Sequence, residues 1–509
     1  MTAASGVAAK ADTTMAGEAD AADLNAKAPV GLGRRALWLG MANASDYAMQ
    51  FLLPVVLTRC LDAETFGHYR LLWLAVGTVM VLAPLQMPAS LYYFLPRSGA
   101  ATKRLYVHQT MLFLGVTGLA GAWAVSGWNP LLPATMGFFT DHGPLVPVFT
   151  LLWVTASLLD LLPTVEERVT WQVTVTISMS LLRAVVIAAA AWITGDLGVL
   201  IQLLVVLVGL KLIVLLCYVA RSHGLRGPWI ERDAMLGQLR QTAPFGVSSA
   251  LFGLRGQIDQ WVAAALFAPA KFAAFAIGVV IGPILNLFRQ SVNHAFLPSM
   301  SRLQAAGDLA GMMQLNSRAN VMVAVLMYPL LAFAFCFADE LITLVYTAAY
   351  IDAAQVMRVC IVGFIVYVVE VGSIMVLLRE GSFAMRLQLG ILLISAGVSW
   401  YAATRFGLAG AAAGSSLAFT LDRTMTLRRI ARRTGITLSR LQDWRTLWLL
   451  FLAAVLSGGT AWFVVHKYME SAGTLVQLLG GGALLVAIYA PIIAVTGLAR
   501  DWPGSTARN

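Results

Sequence analysis

A chain of 509 residues that is 59% hydrophobic and only 12% charged has half the charge of an ordinary soluble domain, where about 25% is usual. Its apolar residues fall in runs too long for a water-soluble core, which excludes a soluble globular fold. The formal net charge of +10 does not point to nucleic acid, because the cations sit in short segments between apolar runs, as topology determinants do.

Residues 1–33 are rich in Ala, Asp, Thr and Gly, without a hydrophobic stretch, and read as a disordered cytoplasmic tail. Beyond them, continuous apolar runs such as Ile201–Leu210 and Ala483–Val495 predict helices, not the short alternating segments of a barrel. Fourteen transmembrane helices are expected, at 36–57, 71–94, 106–126, 145–163, 171–193, 197–220, 242–267, 272–293, 319–338, 354–378, 386–403, 407–422, 446–466 and 474–497. Most approach the roughly 20 residues that cross a bilayer. The expected fold class is an all-α polytopic membrane protein.

Lys and Arg orient the helices. With the N-terminus inside, inward segments hold Arg97, Lys103 and Arg104, then Arg168, then Arg221, Arg226, Arg232 and Arg240, then Arg302 and Arg318, then Arg379 and Arg386. Outward segments hold only Arg59, Arg70, Lys271, Arg405 and Lys467. One missed helix would invert this pattern downstream. Both termini, including the tail 500–509, are therefore expected on the cytoplasmic side. The segment 423–445, with Arg423, Arg428, Arg429, Arg432, Arg433, Arg440 and Arg445, is expected as a basic loop lying on anionic lipid.

An internal repeat divides the chain. Thr65-Phe66-Gly67-His68-Tyr69 follows the first helix and Lys271-Phe272-Ala273-Ala274-Phe275 the seventh; each precedes a helix that ends in Phe-Leu-Pro, at Phe94–Pro96 and Phe296–Pro298. Six helices separate the copies, so both face the same way and the halves are related about the membrane normal. The expected organisation is two six-helix lobes in a pseudo-two-fold repeat, 34–220 and 221–445, plus a C-terminal helix pair at 446–499.

Ionisable side chains in hydrocarbon are costly and mark pathways. Arg183, Lys211 and Arg255 fall well inside predicted spans and Arg289 nearer an end; these four are the candidate ligands for an anion, which Arg meets through paired hydrogen bonds. Asp46, Asp259 and Glu370 are candidate ion-coupling carboxylates, for a proton or sodium ion. Arg255 and Asp259 stand one turn apart and are placed to pair on one helix face. Cys60, Cys217, Cys336 and Cys360 are scattered without metal-ligand spacing, so no cofactor or metal is expected. Asp141 and His142, adjacent in an outward loop, are the residues an enzymatic reading would need.

Leu57-Thr58-Arg59-Cys60-Leu61-Asp62-Ala63-Glu64-Thr65-Phe66-Gly67-His68-Tyr69 resembles the junction after helix one in the polysaccharide transporter family. Leu341–Tyr346 with Tyr350, Ala353 and Ala354 is similar to that family's junction before helix ten, and Gly407-Leu408-Ala409-Gly410-Ala411-Ala412 to its turn into helix twelve. The family holds O-antigen and exopolysaccharide repeat-unit flippases and belongs to the multidrug/oligosaccharidyl-lipid/polysaccharide exporter superfamily. The resemblance covers about 30–500. It implies a two-lobed fold in the bacterial inner membrane with a cationic cavity. It also implies a polyprenyl-pyrophosphate-linked oligosaccharide as cargo, moved to the periplasmic leaflet by alternating access, with membrane lipids and other polysaccharide-assembly proteins as partners. Lipid II flippases carry arginines within their first two helices; Trp38–Val56 and Leu71–Leu95 contain no Arg or Lys, which argues against lipid II. The alternatives are a cation-coupled small-molecule exporter and a membrane polysaccharide polymerase or ligase.

Overall fold

The computed structural model describes residues 32–129 and 142–496. The expected tails, apart from residues 32 and 33, and Asp141 lie outside the described residues. Among the described residues there is no strand; helices account for the architecture.

The first lobe contains α1 (Leu32–Cys60), α2 (Ala63–Leu82), α3 (Ala100–Ala124), α4 (Leu145–Ala156), α5 (Val169–Thr194) and α6 (Leu197–Ser222). The second contains α7 (Arg232–Arg255), α8 (Ile258–Leu266), α9 (Pro269–Gly278), α10 (Ile281–Ala305), α11 (Leu309–Cys336), α12 (Ala338–Tyr346), α13 (Asp352–Tyr367), α14 (Gly372–Leu377), α15 (Gly381–Ala411) and α16 (Ala413–Thr434). The last pair, α17 (Trp444–Tyr468) and α18 (Thr474–Thr496), packs on α11. Nine helical segments among the described residues are long and apolar enough to span a bilayer. The remaining expected spans are broken, charged or shorter, as in α7–α8 and α13–α14. Side chains on outer faces are apolar and open, among them Trp192, Val206, Leu393 and Leu456, as lipid contact requires.

Several helices start where an aspartate caps them. Asp62 accepts from the backbone N–H groups of Glu64 and Thr65 at 3.0 and 3.1 Å. Asp196 takes Gly198 at 2.6 Å, Asp308 takes Gly311 at 2.7 Å and Asp443 takes Thr446 at 3.1 Å. Each satisfies donors that a helix start leaves open. The Asp62 cap moves the start of the second helix from the expected 71 back to Ala63.

Two expectations about helix ends are corrected. The twelfth helix does not close at Asp422–Arg423; α16 runs on to Thr434 and is ended by Gly435 at φ 71°. Most of the expected basic loop 423–445 is therefore helix, because no glycine or proline interrupts 415–434. The second helix unwinds after Leu82, where Leu85 and Gln86 take φ of 43° and 59°, a left-handed conformation costly for residues with a Cβ.

The lobes meet through the two copies of the repeat. α2 packs on α9, and Phe66, Phe272 and Phe275 are all buried there. Gly67 permits this approach: a Cβ at that position would lie 2.0 Å from the Pro269 carbonyl oxygen. Beside it, Arg59 of α1 donates to the carbonyls of Leu344 and Val345 at the end of α12, at 2.7 and 2.6 Å. Phe66 also meets Tyr350 edge-on, with ring centroids 5.8 Å apart. A positive side chain at a helix C-terminus is favourable, so this cap fastens the first lobe to the second.

Candidate functional site

Three neighbouring cavities measure about 540, 530 and 440 Å³; the second is lined from both lobes, the other two by first-lobe residues alone. Gln50 of α1 borders all three. Trp153, Asp160 and Arg183 are shared by the first-lobe cavity and the one at the waist, and Arg70 by the waist and the second-lobe cavity. The three cavities thus adjoin one another through shared walls and are treated together as the chamber.

On the first-lobe side, Lys211 of α6 donates to Asp160 at 2.8 Å. Asp160 ends a single 3-10 turn after α4, and its side chain is 57% exposed, so solvent screens the pair and it stabilises little. The Trp153 indole has two cations near it, Lys211 at 5.4 Å and Arg183 at 5.6 Å from its ring centre. Gln172 of α5 is buried; its amide nitrogen donates to Thr176 at 3.0 Å, while its carbonyl oxygen has no hydrogen-bond partner.

On the second-lobe side, Arg255 is the last residue of α7 and only 5% exposed. Its guanidinium stacks near Phe252 and Phe419 at 5.3 and 5.5 Å, and its Nε and Nη1 have no hydrogen-bond partner. The expected pairing with Asp259 does not form. The helix breaks at Gly256–Gln257 and restarts as α8, so the one-turn register between the two residues is lost. Asp259 instead accepts from the Ser415 hydroxyl at 2.7 Å and the Gln260 backbone at 3.0 Å.

Arg70 completes the chamber and was placed by sequence reasoning in an outward loop. It lies two turns into α2, borders two of the cavities, and its Nε is buried without a partner. The Asp62 cap was the signal that could have found it. The argument against lipid II weakens accordingly, because Arg59 and Arg70 both belong to the first two helices.

Arg289 and Glu370 do not border these cavities. They form a buried ion pair with each other. The tenth helix unwinds at 368–371, and there Glu370 caps α14 by accepting from Gly372 at 2.6 Å. Arg423, missed because the twelfth helix was ended too early, lies 3.7 Å from the same carboxylate, and both arginines face the Tyr367 ring. Asn320 binds the Glu370 backbone from α11 on both sides, at 2.9 and 3.2 Å. Glu370 is thus the centre of a structural network. Asp46 lies on α1, with its side chain outside the described residues. Arg358, near a span end, pairs with Asp339 at 2.6 Å. Among the described residues no group of three His, Cys, Asp or Glu could hold a metal ion.

Residues 32–304 match the family described as polysaccharide biosynthesis protein. No curated protein matches in sequence. In fold, the chain is similar to the lipid II flippase MurJ in an inward closed conformation, with TM-score 0.63 and 12% identity over 90% of this chain and 99% of that one. It is similar to an inward-facing multidrug resistance MATE family transporter of the MOP superfamily, with TM-score 0.55 and 12% identity over 76% and 96% of the two chains. A mutant of the Vibrio cholerae MATE transporter VcmN matches with TM-score 0.53 and 12% identity over 81% and 97%. At these identities the likeness establishes the fold: a multi-pass helical membrane protein built like flippases and transporters.

Proposed function

This chain belongs to the polysaccharide biosynthesis protein family, and from that premise we propose that it is a flippase for a polyprenyl-pyrophosphate-linked oligosaccharide. The cargo passes from the cytoplasmic to the periplasmic leaflet of the inner membrane by alternating access of the two lobes, for surface polysaccharide assembly. The carrying observation is the guanidinium of Arg255, buried with two open donors on a chamber that Arg70, Arg183 and Lys211 also border. A guanidinium keeps its charge at any physiological pH. Burying that charge without hydrogen bonds is expensive, and a diphosphate supplies the acceptor oxygens in paired geometry.

The chamber's charge favours this cargo over cationic drugs: four cations face it against the two carboxylates Asp160 and Asp259. Coupling to a proton or sodium ion through Asp46 or Asp259 belongs to the same reading. Glu370, held between two arginines, is assigned a structural role instead.

The test is transport of a fluorescent polyprenyl-pyrophosphate oligosaccharide in proteoliposomes containing the full chain. Arg255→Ala is expected to lose at least about tenfold in flipping rate, the worth of one charge-assisted hydrogen bond or more, with its melting temperature in detergent unchanged or raised. Wild-type flipping by that variant sinks the proposal.

A further inference from the structure

The chamber's unpartnered buried atoms are of opposite kinds at its two ends. Towards the second lobe and the waist they are donors: Nε and Nη1 of Arg255 and Nε of Arg70. In the first-lobe cavity the unpartnered atom is an acceptor, the Oε1 of Gln172, whose residue is only 4% exposed and whose NH2 donates one of its two N–H groups to Thr176. A diphosphate joined to a lipid and a sugar carries acceptors only at neutral pH, and so cannot satisfy the Gln172 Oε1. A sugar hydroxyl can, because it donates as well as accepts. Asp160, more than half exposed on the same cavity, adds a second acceptor. Trp153 borders both this cavity and the waist and presents the kind of flat apolar surface on which a sugar's C–H face packs.

We infer that the chamber divides the cargo. The cavity of Gln172 takes the hydroxylated sugar rings through Gln172 and Asp160, beside Trp153. Arg255 and Arg70, one from each lobe, take the diphosphate. This rests on the flippase reading and extends it: sugar selectivity resides at Gln172, lipid-diphosphate affinity at Arg255 and Arg70. The waist cavity, which borders both Arg70 and Trp153, joins the two subsites, so one molecule spans them.

Two probes separate the subsites: a polyprenyl pyrophosphate with no sugar, and the same lipid bearing a disaccharide. Their dissociation constants are measured on the full chain in nanodiscs. Wild type is expected to prefer the sugar-bearing probe by about tenfold, the worth of one satisfied buried acceptor. Gln172→Leu is expected to erase the preference while leaving the bare lipid's affinity unchanged. Gln172→Glu, which keeps acceptor oxygens at the site, is expected to retain it. Arg255→Gln is expected to weaken both probes together and preserve their ratio.

The division of the cargo is overturned if wild type binds both probes equally, or if Gln172→Leu keeps the preference or weakens both probes alike. If wild type binds neither probe, the flippase reading falls with it. Equal binding of both probes sinks only the division, so the two failures are distinguishable.

Discussion

Two ion pairs, Lys211–Asp160 and Arg289–Glu370, look alike in sequence as charges within apolar runs, and their surroundings give them different work. The first opens onto the chamber with its carboxylate largely exposed, so it contributes little to stability and is free to exchange partners with an anionic ligand. The second is enclosed with Arg423, Tyr367 and Asn320 at the break in the tenth helix. Glu370→Ala leaves the buried Arg289 guanidinium without its carboxylate, while Arg423 keeps Asp422 at 3.0 Å, and is expected to cost about 3–5 kcal/mol. Lys211→Ala is expected to cost less than about 1 kcal/mol while slowing transport. Thermal unfolding of both variants in detergent, with the flipping assay alongside, checks the contrast. A stable Glu370→Ala protein with altered ion dependence would return that residue to the coupling role. Arg183, Lys211 and Arg255 were legible in the chain as charges within apolar runs, because such a charge is visible without a structure. The open donors of Arg255 were not, because they depend on a helix break that separates it from Asp259.

At the scale of elements, close approaches and end contacts decide how the rods sit. Gly67→Val places side-chain atoms against the Pro269 backbone, where even a Cβ would lie at 2.0 Å. The junction of α2 and α9 must then part, and a cysteine introduced in place of Phe66 is expected to react faster with a membrane-impermeant thiol reagent in that background. At the other end of the first lobe, Glu166 ties the start of α5 to the end of α6 through His223 and Tyr218. Burial by itself raises the Glu166 carboxyl; the hydrogen bonds of His223 and Tyr218, with the charges of His223 and Arg168, outweigh burial and hold it below its ordinary value near 4.5. A carboxylate with a lowered folded pKa contributes stability in full above the unfolded value and loses it as pH falls through the folded one. The wild-type chain is therefore expected to melt above Glu166→Gln at neutral pH, with the gap closing below pH 4.5. Melting curves of the two proteins across pH check this; a gap that widens on acidification refutes it. The helical class and the order of the helices could be read from the chain, whereas helix ends were misread at Ala63 and Thr434, where a cap at one end and an uninterrupted polar run at the other outweighed hydropathy.

At the scale of the whole molecule, the repeat copies form the seam on which the lobes would rock. If they rock, a short thiol crosslinker between Phe66→Cys and Tyr350→Cys, in a background without Cys60, Cys217, Cys336 and Cys360, is expected to stop transport. The same double variant without the crosslinker, or with a cleavable one reduced, is expected to carry cargo. Undiminished flipping in the crosslinked protein would exclude alternating access through this seam. The chain by itself determined that the protein is helical and membrane-embedded, because both follow from local composition and periodicity. Which cations face the shared chamber, and which are neutralised by partners, was decided only by tertiary structure. Arg289 meets its carboxylate 81 positions along the chain and Arg70 shares its cavity with Arg255, and proximity between residues so far apart in sequence is created by packing alone.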